Sequence, residues 1–226
     1  MSHSLIYNNQ LSAAYTTGSV TSSQLRGKPV LLLHNSGTLY KDVEKRLLAE
    51  GAEVQLFDYI NNESQPDVPG SDIVIIAVEW DTKPELLRLK TVTKEMYEDF
   101  FQSQVLSMQS TLKAICEKKE IEKAIVLLPS FAFEVKYGFT LYGMAAERII
   151  LIIDTIIKPS GIQTIEVHYG KTLKAKAEVN ADISHKTGLL RHVLLREQVA
   201  ALVAFLCGPI GNSIKQDVIN IGLSAE

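Results

Sequence analysis

Apolar residues along this chain fall into two alternating rhythms. The runs PVLLLHN at 29–35, DIVIIAV at 72–78 and KAIVLLP at 123–129 are continuous, with no polar face, and read as strands buried on both sides of a parallel sheet. AEVQLFD, ending at Asp58, IQTIEVHY at 162–169 and DVINIG at 217–222 complete the strands. Between them the period lengthens to three and four. LYKDVEKRLLAEG is an amphipathic helix closed by Gly51, and REQVAALVAFLCG at 196–208 is another. A long helical region runs from about Lys94 to Lys119, with Met96, Phe100, Phe101, Val105, Met108, Leu112 and Ile115 on its apolar stripe. A further helix covers Tyr142 to Lys158. This order predicts a three-layer α/β sandwich around a parallel sheet, with no internal repeat.

Two stretches depart from the alternation. Between Asp58 and the third strand, the segment INNESQPDVPGS is dense in turn formers and too short for a crossover helix plus another strand, because a crossover alone needs about 10–12 residues. The third strand therefore follows the second through a loop or a very short helical turn. Residues 1–27, rich in Ser, Thr, Asn and Gln, read as an N-terminal arm, leaving 28–226 as a single domain. Residues 171–190 show no clear period.

Composition narrows the function. A formal charge of -3 and a pI near 6.0 provide no basic stripe, which argues against a nucleic-acid partner. Cys116 and Cys207 sit inside apolar helical patterns as small core residues, and their use suggests a reducing compartment. The first 24 residues lack the basic start and apolar centre of a signal peptide, and runs such as IILIIDTII are too short to span a bilayer. A cytoplasmic, non-membrane protein is expected. His168, His185 and His192 share no metal-ligand spacing, so no metal is expected.

Chemistry gathers in KAIVLLPSFAFEVKYGFTLYGMAAER, residues 123–148. Ser130 follows a buried strand and Tyr142 stands at the mouth of a helix, where the two could share a proton. One turn after Tyr142 stands Ala146, so no cation is supplied there to lower a phenol from its usual pKa of about 10. Lys136, in the loop between them, reads as solvated.

Taken in order, AEGAEVQLFD, IVLLPS and REQVAALVAFLCGPIGNSIKQDVINIGLSA resemble the short-chain dehydrogenase/reductases over almost all of residues 28–224. The resemblance implies a Rossmann-like, doubly wound parallel sheet with the segment after the second strand shortened. It also implies where a cofactor and a catalytic set would lie. The three glycines of the family's pyrophosphate turn are matched by His34, Thr38 and Tyr40, with Gly37 between them. Glycine lets backbone approach the phosphates, and these side chains do not. Asp58 falls at the acid that binds the adenosine ribose in NAD-preferring members, a position where an Asp also serves as a turn or cap residue. The shortened 59–71 loop omits the helix and strand that form part of the adenine pocket. The family's Asn-Asn-Ala-Gly is replaced by Ile76, Ala77, Val78 and Glu79, and its Pro-Gly by Tyr169-Gly170.

Ser130 and Tyr142 match the family's catalytic serine and tyrosine, Ala146 takes the place of its lysine, and Gln104 that of its structural asparagine. The resemblance thus points to a catalytically inactive member, with Ser130 and Tyr142 as remnants, Asp58 as a possible remnant, and no cofactor expected in this chain. Family members associate through two helices, here about 94–119 and 142–158, and through the last helix and strand, here about 196–221. The implied partner is an active paralogue carrying NAD(P), in a heterodimer or heterotetramer. The implied substrate is an acyl-CoA or acyl-carrier-bound hydroxy or keto compound, as with the inactive subunit of 2-(α-hydroxybenzyl)succinyl-CoA dehydrogenase and paired 3-ketoacyl reductases. Lys171, Lys174 and Lys176 would then lie in the segment replacing the substrate loop. Two alternatives are an active NAD(P)-dependent oxidoreductase with an atypical cofactor turn, and a non-enzymatic ligand-binding or regulatory protein using the cleft around Ser130 and Tyr142.

Overall fold

The structure, a computed structural model, describes residues 24–35, 37–61, 70–80, 92–117, 121–130, 140–170, 172–173 and 194–221. The apolar runs form a six-stranded parallel sheet. Its strands are β1 (Pro29–His34), β2 (Glu53–Asp58), β3 (Ile73–Ala77), β4 (Lys123–Pro129), β5 (Gln163–Tyr169) and β8 (Val218–Ile221), in the order β2-β1-β3-β4-β5-β8. β3 and β4 are buried along their whole length, as continuous apolar sequence requires of interior strands. Leu32 pairs with Leu56 on one side and Ile75 on the other, which fixes β1 between β2 and β3. A separate parallel pair of two-residue strands, β6 (Thr172–Leu173) and β7 (Leu194–Leu195), was not expected.

Alternation along the strands divides the core into two layers. Val30, Leu32, Ile75, Ile125 and Val167 pack with Leu39, Val43 and Leu47 of α1 (Leu39–Ala49) and with Val199, Val203 and Leu206 of α5 (Arg196–Cys207). Leu31, Leu33, Val74, Ile76, Val126 and Leu128 face the opposite layer of α2 (Lys94–Phe101), α3 (Ser107–Glu117) and α4 (Thr140–Ile152). The sheet is therefore doubly wound, as predicted. Gly51 follows α1 at φ +89, a left-handed conformation natural to glycine just past a helix end.

The β2-to-β3 connection has the predicted brevity. β3 starts at Ile73 and pairs directly with β1, so among the described residues β2 is the last strand on its side. The chain order also reverses beside β1, and the C-terminal ends of β1 and β3 border the switch-point crevice where open α/β sheets place ligands.

Three boundaries differ from the sequence reading. Residues 24–27, grouped above with the arm, form a turn: Leu25 is fully buried under α1 and α5, and its amide donates to the Glu50 carbonyl at 3.3 Å. The long helix changes to a π-turn at Gln102–Leu106 between α2 and α3. The helix expected over 142–158 begins at Thr140 and passes through a second π-turn at Ile153–Ile157 and a short 3-10 turn at Lys158–Ser160. Each π-turn inserts extra backbone that a strict 3.6-residue period does not register.

The base of the sheet is tied to the C-terminal segment by Lys123, only 3% exposed. Its ammonium donates to the Leu206 carbonyl at 2.9 Å and to Asn212 Oδ1. Burial lowers its pKa and pushes that of neighbouring Cys207 up to about 12.

Candidate functional site

The crevice begins where β1 ends. His34 is 8% exposed and stacks on Tyr40, ring centroids 3.8 Å apart and planes 5° from parallel. Desolvation lowers the His34 pKa, Asp58 opposes that shift and Lys41 adds to it, favouring neutral imidazole. The next residue, Asn35, reaches across to the end of β3. Its Nδ2 donates to the Glu79 carbonyl at 2.8 Å and its Oδ1 accepts the Glu79 amide at 2.9 Å. This two-bond clamp fixes the backbone of Glu79 next to the opening of α1.

Glu79 then turns its side chain onto that opening. One carboxylate oxygen accepts from the Thr38 amide and, at 2.7 Å, from the Leu39 amide. These are orphan donors at a helix N-terminus, where the peptide dipoles favour negative charge. The other oxygen lies 3.4 Å from an Arg196 guanidinium nitrogen at the start of α5. Gly37 leaves the space for this arrangement: a Cβ there would lie 2.3 Å from the Glu79 carboxylate oxygen and 2.6 Å from its Cβ. Below the acid, the Tyr169 hydroxyl donates to the Val78 carbonyl at 2.6 Å and burial raises the phenol's pKa well above 10.0.

On the other side of the crevice an aromatic cluster fills the space beside α4. The Tyr142 ring, 1% exposed, lies 5.5 Å from Trp80 and 5.3 Å from Phe100, the latter edge-on. Ala146, one turn later, is fully buried with Ala145 and Ile149 in the same layer. Gln104 projects from the π-turn between α2 and α3. Its Oε1 accepts from Asn35 Nδ2 at 2.9 Å and from Trp80 Nε1 at 3.1 Å, linking the cluster to the Asn35–Glu79 clamp.

Solved structures share this architecture. A glucose/ribitol dehydrogenase-type short-chain dehydrogenase/reductase from Brucella melitensis superposes with a TM-score of 0.67 at 13% identity, covering 89% of this chain and 99% of that one. A short-chain dehydrogenase from Leptospira borgpetersenii, solved with bound NAD+, gives 0.65 at 15% identity over 92% and 96%. A short-chain dehydrogenase/reductase from Serratia marcescens gives 0.65 at 16% over 89% and 100%. This chain has the short-chain dehydrogenase/reductase fold. No protein-family model and no curated protein matches the sequence.

Within the short-chain dehydrogenase/reductase fold, the residues singled out from sequence fall into three groups. His34 is the last residue of β1, Thr38 is the N-cap of α1 and Tyr40 stands in its first turn, with Gly37 in the connection between them. Asp58 is committed to the turn that follows it, its carboxylate accepting from the Ile60 amide at 3.0 Å, the Asn61 amide at 3.1 Å and Asn61 Nδ2 at 2.7 Å. That is the behaviour of a turn residue. Ser130 is buried at the end of β4, and Tyr142 lies in the first turns of α4.

His168 is held near Glu166, Nε2 to Oε2 at 3.3 Å, and Glu166 also meets Lys158 at 3.5 Å. Lys136, Lys171, Lys174, Lys176, His185 and His192 lie outside the described residues. Among the described residues no group of three or more His, Cys, Asp or Glu could hold a metal, and no helix is long and apolar enough to cross a membrane.

Sequence reasoning missed three participants. Glu79 entered the sequence reading only as one of the residues replacing Asn-Asn-Ala-Gly, whereas it makes hydrogen bonds through its amide, carbonyl and carboxylate. Asn35 and Arg196 were not singled out. The available signal was an acid directly after a buried strand, beside another strand whose loop opens a helix.

Proposed function

We propose that this chain is a catalytically inactive member of the short-chain dehydrogenase/reductases that serves as an assembly subunit for an active, NAD(P)-carrying paralogue. The observation carrying this reading is the Glu79 carboxylate on the Thr38 and Leu39 amides. Those donors are the ones a cofactor pyrophosphate uses in this fold, and a fixed carboxylate at the same place opposes a second anion sterically and electrostatically. The burial of Ala146 beside the Tyr142–Trp80–Phe100 cluster supports the same conclusion, because an apolar side chain there supplies no cation to the phenol.

The assembly role draws support from the outer face of α2 and α4. Tyr97, Met144 and Leu151 are exposed there, and Tyr97, Phe101, Met144, Glu147, Arg148 and Leu151 line a groove of about 390 Å³. Covering apolar surface on such helices contributes roughly 25 cal/mol per Å², a gain that needs no chemistry. The family resemblance extends the proposal to an acyl-CoA or acyl-carrier-bound hydroxy or keto substrate handled by the partner.

Two measurements test the reading. Titration calorimetry of the isolated chain should give no binding of NAD(H) or NADP(H), and a micromolar dissociation constant would overturn the inactive assignment. Native mass spectrometry after co-expression with an intact paralogue from the same genome should give a mixed oligomer that Leu151→Glu disperses. Homo-oligomers unaffected by that substitution would overturn the assembly assignment.

A further inference from the structure

Resting on the reading above, we propose that Glu79 is a built-in counter-anion: it fills the phosphate position at the N-terminus of α1, and removing its carboxylate converts that position into a site for inorganic phosphate or pyrophosphate. The geometry carries this at four independent points. The Thr38 and Leu39 amides both donate to one oxygen of Glu79, so the helix already holds an anion. Arg196 contributes a guanidinium 3.4 Å from the other oxygen, and its Nε is buried with no hydrogen-bond partner among the described residues. The acid is aimed by its own backbone, which Asn35 clamps from β1 through two hydrogen bonds. Gly37 provides room for a carboxylate that any side chain at that position would strike.

These groups form an oxyanion cradle made of two amides, an arginine and a glycine, which is also the donor chemistry that recognises a phosphate group. A carboxylate satisfies it from within the chain. The consequence is a pair of opposed states: acid present, cradle closed; acid removed, cradle open and an arginine left without its partner.

The test compares the full-length chain with Glu79→Ala, Glu79→Gln and the exposed-site control Glu53→Gln, using inorganic pyrophosphate as probe at constant ionic strength. Wild type and the control should show no calorimetric binding and no change of melting temperature with pyrophosphate. Glu79→Ala should melt about 2–4 °C lower in chloride, the size of shift expected for losing a helix cap in a chain of this length. Pyrophosphate should then restore part of that loss and bind with a stoichiometry of one. Glu79→Gln, which keeps the volume and loses the charge, should be destabilised with weaker rescue.

Pyrophosphate binding by wild type, or a folded Glu79→Ala that gains none, overturns the proposal. Should the variants fail to fold in chloride, refolding yields with and without pyrophosphate decide: recovery in pyrophosphate supports the proposal, and no recovery overturns it. Failure to find a mixed oligomer would sink the assembly reading while leaving this result untouched.

Discussion

Ala146→Lys places back, at the matching position, the cation that the family resemblance implies is missing. Ala146 is fully buried in the layer formed by α2–α4, so the new side chain meets packed neighbours among the described residues. Crowding a well-packed core with extra methylenes costs about 1–3 kcal/mol, and Ala146→Met measures that part alone. The ammonium adds a second cost. To be accommodated as a neutral amine its pKa must fall toward the working pH, and a drop of about three units costs about 4 kcal/mol at about 1.4 kcal/mol per unit.

The total approaches the whole stability of a typical domain, about 5–15 kcal/mol. Urea unfolding followed by the fluorescence of Trp80, the only tryptophan in the chain, reports directly on this cluster because its ring is 5.5 Å from Tyr142. The lysine variant should be less stable than the methionine variant. The gap should narrow as pH rises, since a group whose folded pKa is lowered destabilises most at low pH. Neither variant should oxidise NAD(P)H. A lysine variant as stable as the methionine variant at all pH values would refute the charge-burial argument, and NAD(P)H turnover would refute the inactive assignment.

Other consequences can be measured separately. The Cys207 thiol is raised from 9.0 to about 12, so the folded chain keeps a proton that the unfolded chain releases. Its contribution is complete below pH 9 and fades toward pH 12; wild type should lose about 1.4 kcal/mol per unit across the first part of that window, relative to Cys207→Ala. The lowered pKa of Lys123 gives an opposite slope, which the comparison between the two proteins largely cancels. Gln104→Leu removes the acceptor shared by Asn35 and Trp80 and should cost about 1–3 kcal/mol per orphaned donor, with Gln104→Glu keeping most of the stability. Gly211→Ala should lower stability by more than about 2 kcal/mol in urea unfolding, because the new Cβ would lie 2.2 Å from the Leu206 backbone oxygen.

Much of the fold was legible because burial writes itself into composition. An interior strand such as β4 is apolar throughout, and α1 places Leu39, Val43 and Leu47 at four-residue intervals. Leu25 was missed because one apolar residue in a polar stretch has no period. The two π-turns were missed because each adds backbone without changing residue type.

At the crevice, the family resemblance pointed to His34, Thr38 and Tyr40, which stand at the end of β1 and the start of α1, and to Asp58 as a possible remnant of a ribose-binding acid, where the carboxylate instead accepts from the Ile60 and Asn61 amides of the following turn. The part played by Glu79 was not readable. It depends on Asn35, 44 positions earlier, and on Arg196 from the far end of the chain, brought together only by the strand order.

The Glu79 contact also alters how this chain relates to its surroundings. A protein whose helix terminus is completed by a diffusible anion gains stability by mass action, so its folded fraction follows the concentration of that anion. A carboxylate carried on the chain has no concentration to follow. Its local abundance is set by the covalent path from β3 and by the Asn35 clamp, and it is the same in a starved cell as in a fed one. Under the proposal that Glu79 keeps this cradle closed to phosphates, the folded population of this chain is insulated from swings in nucleotide supply.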